Sequence, residues 1–460
     1  MPLDFRHLMG DYGDCLGVAM EAGQQYLATS SHAALLRRVG STVREVPSTA
    51  CPDKRWFQRS YGRCVTDEPE DLLIGEGLFY LTEQRRLYLD CTAGHYQMTW
   101  GYDHPELTDL LLEGIDRGIV WDNHSNIPSA PVKRLTEKLV ELANPGRDLD
   151  ELQDDPESLN TVLSGVATGS VACAAAIKMM LAHHEGDGDP VFVVLEGNYH
   201  GTDVLAQRLR GMWPEIFCNV EVVAVEPNDA DELQATFCEH GENLAGFWAE
   251  PIMMNREAIL IEPEYLHLAR RLCDEAGALM AIDEIQTGFW FPEVIYCSRI
   301  ELQPDFIVLG KGMTAGFHPL AALVYRGKLD VLEQYDAIST NGNAALAALL
   351  ALGCIELIEE HAAEIEEAGR AWHDALVGIA DEFSDRLVEA RGIGHMSGLK
   401  FRDREECLDF HRRAVDAGLW LRAHAYHEGH STILTKFALP LEEHTIEFAA
   451  NALRRLLGDS

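Results

Sequence analysis

The sequence predicts an α/β protein in which a large domain, built on a mostly parallel sheet covered by helices on both faces, is joined by a smaller α+β domain. Three observations point there. Between about residues 160 and 327, short β-branched runs alternate with helical stretches, the pattern of successive strand–helix–strand units. The runs are apolar almost throughout, as strands buried on both faces must be. A length of 460 residues exceeds what one hydrophobic core usually organises.

Taken in order, residues 1–70 read as an amphipathic helical extension. Residues 71–105 are expected to join 341–460 in the small α+β domain, leaving 106–340 as the large domain. Strands are expected at Val191–Glu196, Val220–Glu226, Gly246–Ile252, Ala278–Ile285, Asp305–Leu309 and Leu320–Tyr325, with amphipathic segments such as Pro263–Ala276 between them. After Asn341, the apolar stretch Ala344–Glu360 and then Arg370–Leu387 read as long helices, followed by a helix–strand pattern to the end.

Composition narrows the class of function. Hydrophobic residues at 47% and charged residues at 24% suit a chain that folds throughout. A formal charge of −38 argues against nucleic acid or an anionic membrane as partner, because both need Lys/Arg patches. The start Met1-Pro2-Leu3-Asp4-Phe5-Arg6 lacks a signal-peptide layout, and no apolar run approaches the roughly 20 residues of a membrane span. Eleven cysteines, an odd number without a Cys-x-x-Cys pair, fit reduced thiols in a cytoplasm. The histidines His424, His427 and His430, beside Glu428, are spaced like metal ligands. Gly429 interrupts any helix that would align them, so no metal is expected there.

In an open parallel sheet, ligands bind beyond the carboxyl ends of the strands, and three expected strands end on informative residues. One finishes Ala249-Glu250-Pro251, the next Ile282-Asp283-Glu284-Ile285-Gln286-Thr287-Gly288, and the third Val308-Leu309-Gly310-Lys311-Gly312. Lys311 follows four apolar residues and is flanked by glycines that let the backbone turn and give the amine room. Desolvation lowers the pKa of such an amine, as a Schiff-base nucleophile requires. Asp283, equally embedded, needs a cationic partner, and a protonated pyridine nitrogen is one. Thr168-Gly169-Ser170 opens an Ala-rich helix whose N-terminus could hold a phosphate. Glu196-Gly197-Asn198-Tyr199-His200-Gly201 offers an aromatic ring to stack on a flat ligand. Alone, each piece has an ordinary explanation: a surface lysine, a helix-capping acid, plain N-capping, a loop tyrosine. Together and in this order they describe one site for pyridoxal 5'-phosphate (PLP).

At this point the residues resemble the class III (ornithine/GABA-type) aminotransferases of fold type I, over about residues 75 to 445. Asp283–Phe289 is similar to the family's Asp-Glu-Val-Gln-Thr-Gly-Phe, Gly101-Tyr102-Asp103-His104-Pro105 to its Gly-His-x-His-Pro, and Ser339-Thr340 with Gly342-Asn343 to its Ser-Thr-x-Gly-Gly-Asn. The resemblance implies that Lys311 carries the Schiff base and acts as catalytic base, with Asp283 at the pyridine nitrogen. It implies that Gly169 and Ser170 bind phosphate, Tyr199 and Ile285 take opposite faces of the ring, and Gln286 lies near its hydroxyl. His200 and Glu250 complete the cofactor site. Thr340 would reach the phosphate of a neighbouring subunit in a homodimer. The implied substrates are a small amine or amino acid and a keto acid or aldehyde.

Glu250-Pro251-Ile252-Met253-Met254-Asn255 looks closest to the glutamate-1-semialdehyde aminomutase and β-amino-acid aminotransferase branch, Asn255 standing where the ornithine branch has glutamate. Departures occur at Val171, at Trp290-Phe291-Pro292-Glu293 and at Met313-Thr314-Ala315. Lys436 stands where many members have a carboxylate-clamping arginine, and a lysine offers only a point charge. Aminomutase, lyase, decarboxylase or racemase chemistry, or a silent PLP-fold dimer, are alternatives on the same scaffold.

Overall fold

The computed structural model describes residues 4–10, 13–49, 71–124, 127–212, 214–216, 219–333, 336–439 and 441–458. Two compact units emerge. One comprises Met1–His95, Trp100–Pro105 and Glu367–Ser460, the other Tyr96–Thr99 and Glu106–Glu366.

The larger unit contains a seven-stranded sheet. In chain order its strands are β1 (Thr161–Val166), β2 (Val191–Leu195), β3 (Glu221–Val225), β4 (Leu244–Ala249), β5 (Leu279–Asp283), β6 (Phe306–Leu309) and β7 (Ala321–Tyr325). They lie in the order β1-β7-β6-β5-β4-β2-β3. β7 runs antiparallel to both its neighbours, and the other pairings are parallel. Each expected strand is present, and β1 is an addition.

The residues of β2, β4, β6 and β7 are buried without alternation, as both-face coverage requires. Against the sheet lies the helix Gly169–His183, whose Ala172, Ala175 and Ala176 are fully buried. Small alanines let it approach the strands closely. Phe192, Trp248, Phe306 and Val308 share its core cluster. Burial of each such side chain contributes about 1.5–3 kcal/mol.

The division differs from the expected boundaries at three places. The helix Ala345–Glu360 belongs to the larger unit, because it is apolar on nearly every side and packs on the helix Ala130–Ala143, with Lys138 Nζ 2.8 Å from Glu359 Oε1. Tyr96–Thr99 also belongs there, and the Thr99 hydroxyl donates to the Gly312 carbonyl at 3.0 Å. The N-terminal segment is no separate extension: Leu27, Leu35, Leu36 and Val43 enter the same core as Trp372, Phe401 and Phe410 of the smaller unit. Residues 50–70 of that expected extension lie outside the described residues.

The smaller unit holds two four-stranded sheets. One is Leu72–Glu76, Phe79–Thr82, Leu87–Asp90 and Leu419–Trp420; the other, antiparallel throughout, is Leu387–Ile393, Met396–Phe401, Thr432–Lys436 and Arg422–His424. Among the described residues no helix is long and apolar enough to cross a membrane.

Candidate active site

Because β1, β2, β4, β5 and β6 run in one direction, their carboxyl ends share one edge of the sheet. A cavity of about 150 Å³ opens there, lined by Gly169, Ser170, Tyr199, His200, Gly201, Asp283, Ile285, Gln286 and Lys311. Eight of these were expected from sequence.

Asp283 ends β5 and is only 2% exposed. Its Oδ2 lies 2.8 Å from His200 Nδ1 and accepts from the Cys173 thiol at 3.7 Å, while Oδ1 accepts from the Ile285 backbone N–H at 3.0 Å. Partners on three sides fix the carboxylate at the floor of the cavity. His200 also packs on Trp248, with ring centroids 5.1 Å apart. Glu250 does not line the cavity but supports it: its Oε1 accepts from the Tyr199 backbone N–H at 2.9 Å. Burial, then the negative charge of Asp283, pushes the Glu250 carboxyl well above the usual range, favouring its protonated form.

Lys311 opens a short 3₁₀ turn after β6. The flanking glycines do not make the turn, contrary to expectation. Gly310 is extended, and the left-handed conformation falls on Lys311 itself, at φ +42°. A non-glycine residue held there stores strain of the kind found at functional sites. Gly312 is required by packing instead, since a Cβ would stand 2.6 Å from Thr99 Oγ1. The Lys311 ammonium lies 5.9 Å from the centre of the Tyr96 ring.

The N-terminus of Gly169–His183, expected as the anion cradle, borders the cavity. The Thr168 side chain makes no capping bond, although Thr168 sits at the N-cap position. A Cβ on Gly169 would be 2.3 Å from Ile285 Cδ1, so only glycine lets Ile285 lie against the helix start. At Gly201, φ is +111° and a Cβ would meet Ser170 Oγ at 2.3 Å. Ser170 Oγ accepts from the Thr202 backbone N–H at 3.1 Å. These residues fit PLP by chemistry: a helix N-terminus lining the cavity for a phosphate, a buried acid for a ring nitrogen, and an amine for a carbonyl.

Thr340 is exposed and does not line this cavity, though the neighbouring Ser339 hydroxyl accepts from the Ala167 backbone N–H at 3.0 Å, just ahead of the cradle. Lys436 is fully buried in the smaller unit, ending the strand Thr432–Lys436, where its backbone N–H donates to the Cys91 carbonyl at 2.8 Å. His424 is buried on a strand of that unit, while His427 and His430 pack edge-on in the following turn.

Sequence reasoning missed several contributors. A second cavity of about 320 Å³ shares Gly169 and Lys311 and adds Gln97, Thr314 and His318. The Arg210 guanidinium stands 5.2 Å from the Tyr199 ring centre. Cys173, counted only among the reduced thiols, donates to Asp283. Glu284 is fully buried and accepts from the backbone N–H groups of Tyr296 at 2.6 Å and Cys297 at 2.7 Å. Burial raises its pKa to about 7 against those donors.

A model of the family described as aminotransferase class-III matches residues 70–457. The chain belongs to the class III aminotransferases. As a member it is an enzyme, a PLP-dependent transaminase. The fold of this class III aminotransferase is shared by solved structures of low sequence identity. A transaminase from the marine bacterium Virgibacillus matches with a TM-score of 0.72 at 18% identity, covering 85% of this chain and 93% of that one. The ornithine aminotransferase of Toxoplasma gondii matches at 0.72 and 21% identity, covering 87% and 93%. The adenosylmethionine-8-amino-7-oxononanoate aminotransferase of Methanocaldococcus jannaschii matches at 0.72 and 21%, covering 85% and 94%.

Proposed function

We propose that this aminotransferase moves an amino group between a small amine or amino acid and a keto acid or aldehyde, with Lys311 as the residue that bonds the cofactor. The observation that carries this reading is the convergence of Lys311, Asp283 and the Gly169–Ser170 cradle on one cavity. When bound, PLP supplies a carbonyl that condenses with amines and a ring that accepts electrons.

The chain's own residues do the rest. Lys311 Nζ would hold the cofactor and, when free, would carry the proton to and from the substrate α-carbon. Asp283, held by His200, Cys173 and the Ile285 N–H, would bind the ring nitrogen. Tyr199, Ile285 and Gln286 line the cavity, where by the resemblance the first two would hold opposite faces of the ring and Gln286 its hydroxyl. Ser170 and the backbone N–H at Gly169 would hold the phosphate.

Lys436, in the place of an arginine, is our candidate for the substrate carboxylate. A homodimer in which Thr340 reaches the partner's phosphate is supported by the exposure of Thr340 beside Ser339. The run Glu250–Asn255 supports substrates of the β-amino-acid branch.

Holo-protein mixed with a panel of α-amino acids, β-amino acids and simple amines tests the reading. At least one should change the cofactor absorption and release its keto acid or aldehyde, from protein sedimenting at twice the 51.2 kDa chain mass. A product isomeric with the substrate would support an aminomutase instead. Ammonia or carbon dioxide release without amino transfer would overturn the proposal.

A further inference from the structure

We propose that His32, Glu442 and His444, in the smaller unit, form a binding site for one divalent transition-metal ion of the zinc type. None of the three lines the cofactor cavity. They are brought together by packing of the helix His32–Arg38 on the last helix, Glu443–Gly458. One donor atom from each residue lies within 4.8 Å of the others, and His444 Nε2 is already 3.1 Å from Glu442 Oε2. Two ligands on a tetrahedral zinc ion are about 3.4 Å apart, given metal–ligand bonds near ~2.1 Å. Glu442 and His444 are exposed, so their side chains can close the remaining gap without disturbing the core.

The third ligand is held ready. His32 Nε2 is hydrogen-bonded with Thr445 Oγ1 at 2.7 Å, and its ring meets Phe79 edge-on at 5.0 Å. A partner that fixes an imidazole's orientation is what metal-ligating histidines ordinarily have. Two imidazoles and one carboxylate suit zinc, leaving a fourth position for water, whereas magnesium and calcium prefer oxygen ligands alone. A cation here opposes the positive end of the last helix, and Glu442 and Glu443 offset that charge. Sequence inspection could not find this set, because its members lie at opposite ends of the chain. The bound ion would clamp the N-terminal segment to the C-terminal helix.

The test is zinc titration of PLP-loaded, full-length protein by calorimetry near neutral pH, with a parallel melting curve. The wild type should bind one more equivalent of Zn²⁺ than His444→Ala or His32→Ala, and Glu442→Gln should weaken that site by ~10-fold or more. Zinc should raise the melting temperature of the wild type beyond that of His444→Ala. His444 is exposed, so His444→Ala folds and decides the matter even if His32→Ala does not. Equal stoichiometry and equal melting shifts in the wild type and His444→Ala would overturn the site. Excess Mg²⁺ that displaced the extra equivalent would overturn its zinc-type character.

Discussion

Asp283 and Lys311 are the residues through which the site is built, and each depends on neighbours remote in sequence. Asp283 is braced by Cys173 and His200, 110 and 83 positions away, and Lys311 rests on a turn whose Gly312 is packed against Thr99. Gly312→Ala should therefore force Thr99 and the Lys311 turn apart, costing about 1–3 kcal/mol as overpacking of a filled site does. Urea unfolding of the apoprotein measures this directly, and an unchanged midpoint would remove Gly312 from the account. The strand-end acid and lysine were legible because an apolar run ending in a charged residue is a local pattern. The glycines beside Lys311 misled, because flanking glycines advertise freedom without saying which residue uses it. Thr99 and Gln97 were invisible, since nothing in a local window reports a contact some 200 residues away.

At the scale of elements, β5 ends on the cavity-lining Asp283, and the loop after it begins with Glu284, which faces inward to hold the Tyr296 and Cys297 backbone N–H groups. Burial raises Glu284 from its ordinary 4.5 to about 7. Between those values the folded state binds more protons than the unfolded one. Stability from this group is thus fully present below pH 4.5 and is lost as pH rises through about 7, by ~3 kcal/mol in all. Glu284→Gln cannot titrate, so its urea midpoint should gain on the wild type as pH rises through this window. A difference independent of pH would show that Glu284 is not perturbed. The strands of the sheet were readable from apolar runs, but β1 was not, because Ser164 and Gly165 interrupt Thr161–Val166. The reversed direction of β7 was equally hidden, since an apolar run carries no sign of its direction.

For the whole molecule, the alternation of strand and helix patterns predicted a mostly parallel sheet, while the partition into units followed packing that sequence does not display. The helix Ala345–Glu360 joined the larger unit and the N-terminal helices the smaller one, each because its apolar residues found a core there. Membership of the class III aminotransferases rests on most of the chain, residues 70–457, so the cofactor chemistry follows from the family, while the residues proposed to carry it line one cavity. The central claim, that one lysine of this chain bonds PLP, can be read directly. Borohydride reduction of the holo-protein followed by peptide mass mapping should find the reduced cofactor attached to Lys311 and to none of the other seven lysines. Attachment at another lysine, or recovery of unmodified Lys311 from fully reduced holo-protein, would contradict it.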